Sequence, residues 1–412
     1  MTQARIVNFG CRLNAAEAAT IEALLAAAGD GDTLVVNTCA VTQEAEREAL
    51  AAIRRLKRER PEARIVVTGC SAQLDPARYE ALAEVDAVVG NRDKLDPAVW
   101  RARTGAVSDI MVRQDFVAAE IGLAEGRTRA FVEVQQGCDH RCTFCVIPFA
   151  RGPSRSLPAE GAVARVRQAV AAGRREVVLT GVDLTAWGDD LPDQPRLSDL
   201  CAAILAAVPD LARLRLSSVD PAEIDGRLFG LLADEPRLAP FLHLSIQAGD
   251  DLILKRMKRR HSRAQVIDVV ARARDVRPDI AIAADLIAGF PTESDAAFEN
   301  TRALVGELGL AHAHVFAYSA RPGAPAARMR ALPESTVRRR ARELRDTAAG
   351  ARLGYLAARV GGMADVLVEK SGQDGLDAQG VRVRLTELRP RGALVRVRVA
   401  SHDANGLTGV PA

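Results

Sequence analysis

The chain has 412 residues, a formal net charge of +3 and 48% hydrophobic residues. This length suits two or three domains, and this balance of apolar and charged residues is typical of a soluble globular protein. No segment approaches the run of roughly 18 apolar residues that a membrane helix needs, and no signal sequence is recognisable. We therefore expect a cytoplasmic protein without a membrane partner.

The first hundred residues alternate short apolar runs with helical patterns. Four β-branched runs, typical of buried parallel strands, lie at residues 5–9, 33–36, 64–67 and 87–89. A helix is expected to start at Asn14, where Glu17 would complete a capping box. Another is expected over residues 42–60, ending before Pro61. The pattern predicts a doubly wound parallel α/β domain over residues 1–108.

Residues 109–127 show little periodicity and are predicted to be a linker to a second β/α series. Its six candidate strands span residues 130–135, 176–180, 213–217, 241–247, 280–286 and 313–318. Six β/α units are fewer than the eight of a closed barrel, so we predict an incomplete (β/α)6 barrel over residues 124–355. An Arg-rich helix over residues 334–360 leads to short strands broken by turns. These strands predict an all-β module over residues 358–412.

Three of the seven cysteines form a tight cluster. Cys138, Cys142 and Cys145 directly follow the first barrel strand, at the strand end where such barrels keep their active sites. An odd number of cysteines argues against a disulfide framework. A structural zinc ion would need a fourth ligand and usually binds two paired knuckles, which this segment lacks. Three thiolates better suit a [4Fe–4S] cluster with one iron open for a substrate ligand.

Polar or glycine-containing turns follow four further barrel strands and would face the same opening. The residues expected to bind a cofactor there are Thr180, Gly181, Asp183, Ser217, Gln247, Asp285, Gly289 and Pro291. Any one of these turns is a weak signal. Together with the cysteine loop, they indicate a single site at the mouth of the barrel.

A second set, Cys11, Cys39 and Cys70, stands just beyond three predicted strands of the N-terminal sheet. Because the carboxyl ends of parallel strands share one edge, these cysteines should converge. Three ordinary buried cysteines are the alternative, but their shared placement favours a second metal cluster. Cys201 lies among Ala and Leu in a helical pattern and is expected to be a core residue.

The C-x₃-C-x₂-C spacing of the first set resembles the hallmark of the radical S-adenosylmethionine superfamily. That resemblance implies a cluster on Cys138, Cys142 and Cys145 that binds S-adenosylmethionine and cleaves it to a 5′-deoxyadenosyl radical. With the N-terminal set added, nearly the whole chain resembles methylthiotransferases of the MiaB/RimO/MtaB group. This implies an auxiliary [4Fe–4S] cluster on Cys11, Cys39 and Cys70 that carries or supplies sulfur, and a C-terminal TRAM module.

Several stretches are most similar to the MtaB branch. They are GCRLN at 10–14, NTCAVT at 37–42, CVIPFARG at 145–152, LSIQAGDDLILKRMKRRHSR at 244–263 and AHVFAYSARPGAPAARM at 313–329. The resemblance implies methylthiolation of C2 of N6-threonylcarbamoyladenosine at position 37 of tRNA, in the anticodon loop. It also implies an electron donor such as flavodoxin or ferredoxin.

Other functions stay open at this point. Related enzymes modify N6-isopentenyladenosine in tRNA or an aspartate of a ribosomal protein, although the basic tail disfavours the protein substrate. From another class, a non-catalytic iron–sulfur RNA-binding protein would need no S-adenosylmethionine site, and a zinc-stabilised RNA-binding protein would be colourless.

The C-terminal third is basic, which suggests a polyanionic partner. Residues 361–412 include no Phe, Tyr or Trp, so the tail can offer RNA only charge and hydrogen bonds. The expected phosphate contacts are Arg382, Arg384, Arg389, Arg391, Arg396 and Arg398. Arg12, Arg151 and Arg155 are candidates for contacting the threonylcarbamoyl group.

Overall fold

The computed structural model describes residues 5–112, 116, 127–369 and 371–412. Most of the predicted linker lies outside these residues. Three sheet systems follow one another along the chain: a parallel sheet, a curved parallel sheet and a small closed barrel. Within the described residues, no helix combines the length and apolar character that a membrane crossing requires.

The N-terminal unit is a four-stranded parallel sheet between two layers of helices. Its elements are β1 (Arg5–Asn8), α1 (Arg12–Ala27), β2 (Thr33–Thr38), α2 (Gln43–Glu59), β3 (Arg64–Gly69), α3 (Cys70–Leu74), α4 (Pro76–Glu80), β4 (Ala87–Val89) and α5 (Pro97–Ala102). The strands lie in chain order, β1-β2-β3-β4. In β2, Val35 packs with Ile21 and Leu25 of α1, whereas Leu34 and Val36 pack with α2 on the other face. The parallel α/β class is confirmed.

The start of α1 differs from the predicted capping box. Cys11 occupies the N-cap position and no side chain caps the helix. The Asn14 amide donates instead to the carbonyls of Phe9 and Thr38, at 2.8 and 3.0 Å. Glu17 is only 2% exposed and forms tertiary ion pairs. The capping prediction is wrong because both polar side chains are used for contacts far along the chain.

The central unit is a curved sheet with six parallel strand positions. Its elements are β5 (Arg129–Gln136), α6 (Ile147–Arg151), β6 (Arg155–Ser156), α7 (Ala159–Ala171), β7 (Glu176–Gly181), α8 (Leu197–Ala207), β8 (Arg213–Leu216), β9 (Ser218–Val219), α9 (Gly226–Asp234), β10 (Phe241–Gln247), α10 (Asp251–Arg256), α11 (Arg263–Val276), β11 (Ala281–Ala288), α12 (Asp295–Glu307), β12 (His312–Ala317) and α13 (Glu334–Ala358). Only Ser217 separates β8 from β9, so the sheets β6-β5-β7-β8 and β9-β10-β11-β12 continue each other. The predicted incomplete barrel is confirmed.

Side chains of these strands alternate between an apolar outer face and a polar interior. Leu179, Leu214 and Leu242 belong to the large core beneath the helices, which also contains the fully buried Cys201. The core assignment of Cys201 is thus confirmed. Their neighbours in the strands, such as Thr180, face the interior of the barrel, where a polar substrate or cofactor would be held.

The C-terminal unit is a closed five-stranded barrel. Its strands are β13 (Met363–Val368), β14 (Asp374–Asp377), β15 (Arg382–Leu385), β16 (Leu394–Asp403) and β17 (Gly406–Pro411), in the order β13-β14-β15-β17-β16. Val366, Val383 and Val397 fill its core together with Leu356 of α13. The all-β fold predicted for the tail is confirmed, while the domain boundaries remain predictions.

A buried carboxylate joins the central barrel to this C-terminal unit. Glu176, at the start of β7, accepts hydrogen bonds from Arg215 Nε at 2.8 Å and Arg213 Nη1 at 3.1 Å. Each guanidinium also donates to a backbone carbonyl of the tail, at 2.9 Å to Asp365 and 3.2 Å to Asp377. Burial alone would raise the pKa of Glu176, but the two guanidinium groups lower it to about 2.

Replacing this carboxylate should destabilise the protein strongly. Glu176→Gln leaves two buried guanidinium groups without a counter-charge, so we expect a loss of about 3–5 kcal/mol in the unfolding transition of the barrel. Because the pKa of Glu176 is depressed, the wild-type contribution should persist at neutral pH and fade as the pH falls toward about 2.

Chemical denaturation of the two proteins measures this loss. The control is Glu334→Gln, which removes an exposed ion pair with Arg338 and should cost little. Equal losses in both variants would contradict the assigned role of Glu176.

Candidate metal centres at the sheet ends

The first set of cysteines, Cys138, Cys142 and Cys145, lies in the loop between β5 and α6, at the carboxyl end of the first barrel strand. Gly137 precedes them with φ of +71°, and a Cβ there would come within 1.9 Å of the Pro153 carbonyl oxygen. The backbone N–H of Cys138 donates to the carbonyl of Gly152 at 3.0 Å. The loop is therefore closed tightly on itself, and it holds Cys138, Cys142 and Cys145 where the sequence predicted them.

Charged side chains contact two of these sulfurs. Arg259 Nη1 lies 3.5 Å from Cys142 Sγ, and its other amino group donates to a buried carboxylate. Asp183 Oδ2 accepts from Cys138 Sγ at 3.6 Å and lies 2.8 Å from His140 Nε2. The Arg259 guanidinium is therefore placed to donate to the Cys142 sulfur when that sulfur binds metal. Neither Arg259 nor His140 was singled out from the sequence.

The second set also lies at neighbouring strand ends. Cys11 follows β1, Cys39 directly follows β2, and Cys70 directly follows β3 as the first residue of α3. A Cβ on Gly10, whose φ is +98°, would lie 2.6 Å from Cys39 Sγ, so the chain passes close to that sulfur. Burial first, and then the neighbouring Cys70, raise the pKa of the Cys39 thiol. The predicted convergence of the three cysteines is therefore observed.

One apolar cluster connects the two sets. It contains Cys70 and Ala40 of the N-terminal unit and Val146, Ala150 and Ala324 of the barrel. Val146 directly follows the last cysteine of the first set. The apolar contact between the N-terminal unit and the barrel therefore reaches Cys70 of one set and the residue after Cys145 of the other.

The donor set of each group of cysteines fits an iron–sulfur cluster better than a zinc ion. In the described chain, no three cysteine sulfurs come within 4.8 Å of one another. Sulfurs bound to one zinc ion at about 2.3 Å would lie roughly 4 Å apart, so neither set is arranged as it would be around a zinc ion, whereas a [4Fe–4S] cluster holds its thiolates farther apart. Burial raises the pKa of Cys145 and of Cys39 to about 12, and a bound metal would reverse this by stabilising the thiolates.

Arg151 connects the barrel to the N-terminal cysteines. It ends α6, yet its Nε donates to Cys70 Sγ at 3.1 Å. Nη2 donates to Asn14 Oδ1 at 2.6 Å and to Glu17 Oε2 at 3.0 Å, while Nη1 donates to Glu17 Oε1. The side chain is 6% exposed and engaged on every nitrogen. The suggestion that Arg151 contacts the threonylcarbamoyl group is therefore wrong.

The other two arginines proposed for that contact fare differently. Arg155 is 8% exposed and its Nη2 lies 3.3 Å from both Gln136 Oε1 and the Arg151 carbonyl, so it is also held inside. The side chain of Arg12 lies outside the described part of the chain.

Glu17 also binds a second buried cation. Lys94 Nζ, fully buried, donates to Glu17 Oε2 and to Asn91 Oδ1, both at 2.7 Å. Burial would raise the pKa of Glu17, but Arg151 and Lys94 lower it, so the carboxylate is ionised. No sequence spacing could have found this group, because its members lie more than fifty residues apart in the chain.

Most of the residues expected to bind a cofactor lie at the barrel mouth. Thr180 and Gly181 end β7, Ser217 separates β8 from β9, and Gln247 ends β10 with φ of +72°. The buried Ser217 Oγ has no hydrogen-bond partner among the described residues, which leaves it free to bind a ligand. Their contacts with S-adenosylmethionine remain predictions, as does that of Asp183.

Asp285, Gly289 and Pro291 are placed differently. Asp285 lies in the middle of β11, inside the barrel, where His243 Nε2 is 3.0 Å from its Oδ1. A Cβ on Gly289 would lie 2.9 Å from Val337 of α13, so this turn is packed beneath a helix. Pro291, in the same turn, is buried.

All six tail arginines expected to contact RNA are exposed. Arg382 pairs with Asp374 at 3.3 Å and Arg389 with Glu387 at 2.7 Å. Within the described residues, the other four, Arg384, Arg391, Arg396 and Arg398, form no ion pair. Their charges are therefore available to a polyanion.

Comparison with known families gives matches in both α/β units. The model of the radical SAM superfamily matches residues 132–305, and that of UPF0004, described as an uncharacterized protein family, matches residues 3–90. A solved radical S-adenosylmethionine methyltransferase, TsrM from Kitasatospora setae, has a TM-score of 0.51 at 15% identity, covering 74% of this chain and 66% of that one. This likeness shows a shared fold.

Curated relatives extend over most of the chain. Threonylcarbamoyladenosine tRNA methylthiotransferase MtaB of Rickettsia prowazekii is 46% identical over 89% of this chain and 87% of its own. MtaB of Thermotoga maritima is 34% identical, and tRNA-2-methylthio-N(6)-dimethylallyladenosine synthase of Novosphingobium aromaticivorans 38% identical, each over 90% of this chain and 87% of its own. With both cysteine sets in place, the chain belongs to the radical S-adenosylmethionine methylthiotransferase family.

Proposed function

We propose that the protein adds a methylthio group to C2 of N6-threonylcarbamoyladenosine at position 37 of tRNA. The supporting observation is the 46% identity to an MtaB enzyme over most of both chains. Six of the seven cysteines form two sets, one after three strands of the N-terminal sheet and one in the loop after β5. The relative named for dimethylallyladenosine is 38% identical, so a prenylated adenosine is the second candidate substrate.

The reaction of this family uses two [4Fe–4S] clusters and S-adenosylmethionine. In our proposal, Cys138, Cys142 and Cys145 hold the cluster at the barrel mouth, and the N-terminal cysteines hold the auxiliary cluster. When bound, these groups supply the adenosyl radical and the sulfur. An external one-electron donor, such as flavodoxin or ferredoxin, completes the system, and tRNA modification would take place in the cytoplasm.

The protein's own contribution is to bind, orient and exclude water. Arg259 holds Cys142 against the barrel, and Asp183 orients Cys138. Ser217 Oγ offers a buried hydrogen-bond partner at the strand ends where S-adenosylmethionine would bind. The apolar cluster around Cys70 and Val146 excludes water from the contact of the N-terminal unit with the barrel beside the cysteines.

The C-terminal barrel is proposed to bind the tRNA backbone. Four of its arginines form no ion pair within the described residues and provide charge, and its sequence provides no aromatic ring on which a base could stack. It should therefore add affinity without reading sequence.

The two cysteine sets should fail in different ways. Cys142→Ala should abolish both reductive cleavage of S-adenosylmethionine and methylthio product, because two thiolates cannot hold the cluster. Cys39→Ala should spare reductive cleavage and abolish product. Cys201→Ala, a buried cysteine in the core, is the matched control and should retain both activities. Methylthio product from the Cys39 variant would refute the role of the N-terminal set.

Charge reversal in the tail tests the RNA contacts. Arg396→Glu with Arg398→Glu should weaken binding of all tRNAs alike and reduce the slope of log affinity against log salt by roughly 1 to 2. Arg302→Glu, an exposed arginine on α12, is the control for charge alone. Filter binding across salt concentrations measures both quantities, and a loss confined to one tRNA would contradict the proposal.

Nucleoside analysis tests the substrate. In cells lacking the gene, mass spectrometry of hydrolysed tRNA should show loss of 2-methylthio-N6-threonylcarbamoyladenosine and accumulation of its unthiolated precursor. The wild-type gene should restore the product, and the Cys142→Ala gene should not. Loss of a methylthiolated prenyladenosine instead would assign the second candidate substrate.

A further inference from the structure

The side chain of Arg151 suggests a role beyond joining two domains. We propose that Arg151 is a positioning residue for the auxiliary cluster. Its guanidinium donates to the Cys70 thiolate and makes the cluster easier to reduce. This inference rests on the proposed placement of the auxiliary cluster on Cys11, Cys39 and Cys70.

The helix directly after the loop with the first set of cysteines carries Arg151, which contacts Cys70 of the second set. Cys145 is followed within two residues by α6, and Arg151 is the last residue of that helix. Its Nε reaches Cys70 Sγ at 3.1 Å across the boundary between the two sheets. The helix after the barrel loop therefore contributes a hydrogen-bond donor to the N-terminal cysteine set. This contact fixes the position of one set relative to the other.

Buried charge provides an independent argument. Arg151, Lys94 and Glu17 are at most 6% exposed, and they carry two positive charges against one negative charge. An uncompensated buried charge is costly. A cluster core of charge two plus with three thiolates carries one net negative charge, which would balance the group. Of the next buried groups, Arg155 adds a positive charge, and Glu133, whose pKa is raised to about 7 by burial and then by Glu17, offsets that charge above neutral pH.

A hydrogen bond from a cation to a ligating sulfur stabilises the more negative, reduced state of a cluster. Such contacts around the ligands are a main means by which proteins set cluster potentials. Removing the Arg151 guanidinium should therefore make reduction harder. Removing the negative charge of Glu17 should make it easier, because the cations then act on the cluster without a counter-charge.

Arg321 provides a matched control for a purely structural role. It is 4% exposed and, from the segment after β12, donates to Glu46 of α2. Like Arg151, it forms a buried ion pair between the barrel and the N-terminal unit. Within the described residues, no hydrogen bond or ion pair connects Arg321 to a cysteine sulfur; its partner Glu46 accepts from Ser71 Oγ at 3.0 Å, next to Cys70. Arg321→Gln therefore removes a buried cation and a docking contact without removing a donor to a sulfur.

The test uses the full-length chain with Cys138, Cys142 and Cys145 all changed to Ala, so that only the auxiliary cluster assembles. After anaerobic reconstitution with iron and sulfide, dithionite titration followed by electron paramagnetic resonance gives the midpoint potential. Arg151→Gln should lower the equilibrium constant for one-electron reduction about tenfold, or about 59 mV. Glu17→Gln should shift the potential in the opposite direction, and Arg321→Gln, which removes no donor to a sulfur, should shift it far less than Arg151→Gln does.

Each other result overturns the inference. An unchanged potential in Arg151→Gln, or an equal shift in Arg321→Gln, would show that Arg151 is only a docking contact between the two units. If Arg151→Gln assembles no cluster, Glu17→Gln decides, and an unchanged or lower potential there rejects the proposal. A parent protein that binds no iron would instead reject the placement of the cluster itself, together with this inference.

Discussion

The buried carboxylate of Glu17 is the interaction on which the arrangement of the two cysteine sets depends. It receives Arg151 from the barrel and Lys94 from the N-terminal unit, and burying either cation there is less costly because of it. α1, which bears Glu17, begins next to Cys11, and α6, which bears Arg151, begins just after Cys145. One ion-paired group therefore fixes the backbone that follows a cysteine in each set, and the distance between the sets is set by charge as well as by packing.

A similar group, one buried carboxylate between two cations, lies at the other end of the barrel. Glu176 binds Arg213 and Arg215 inside the barrel, and these guanidinium groups extend to backbone carbonyls of the C-terminal unit. In both places one carboxylate holds two buried cations, and the group joins two units: through Arg151 at Glu17, and through both arginines at Glu176. Buried ion pairs tolerate little displacement, so these contacts specify how the units dock, whereas apolar packing alone would allow them to slide.

The fold and the grouping of the cysteines could be predicted from the sequence because both depend on local pattern. Strand period and parallel topology place Cys11, Cys39 and Cys70 at one edge, whatever their separation in the chain. The ion-paired group was missed for the opposite reason. Glu17 stands three residues after Asn14, which matches a capping box, and only the folded chain shows that both side chains point elsewhere. Arg151 was assigned to the substrate because its charge lies near the site, while its partners lie more than fifty residues away.

In the proposed reaction, the C-terminal barrel that would bind the tRNA backbone lies at the opposite end of the central barrel from the cysteines. The C-terminal barrel contacts Arg213 and Arg215 near the start of their strand, whereas the cysteines follow the carboxyl ends of the strands. A strand of eight residues spans about 26 Å. A tRNA that touches the tail arginines must therefore extend about the length of the barrel to bring an adenosine to the cysteines. In the proposed reaction, contacts at the start of the strands would add affinity without touching the reacting base, so we expect selectivity for the threonylcarbamoyl group to depend on residues nearer the barrel mouth.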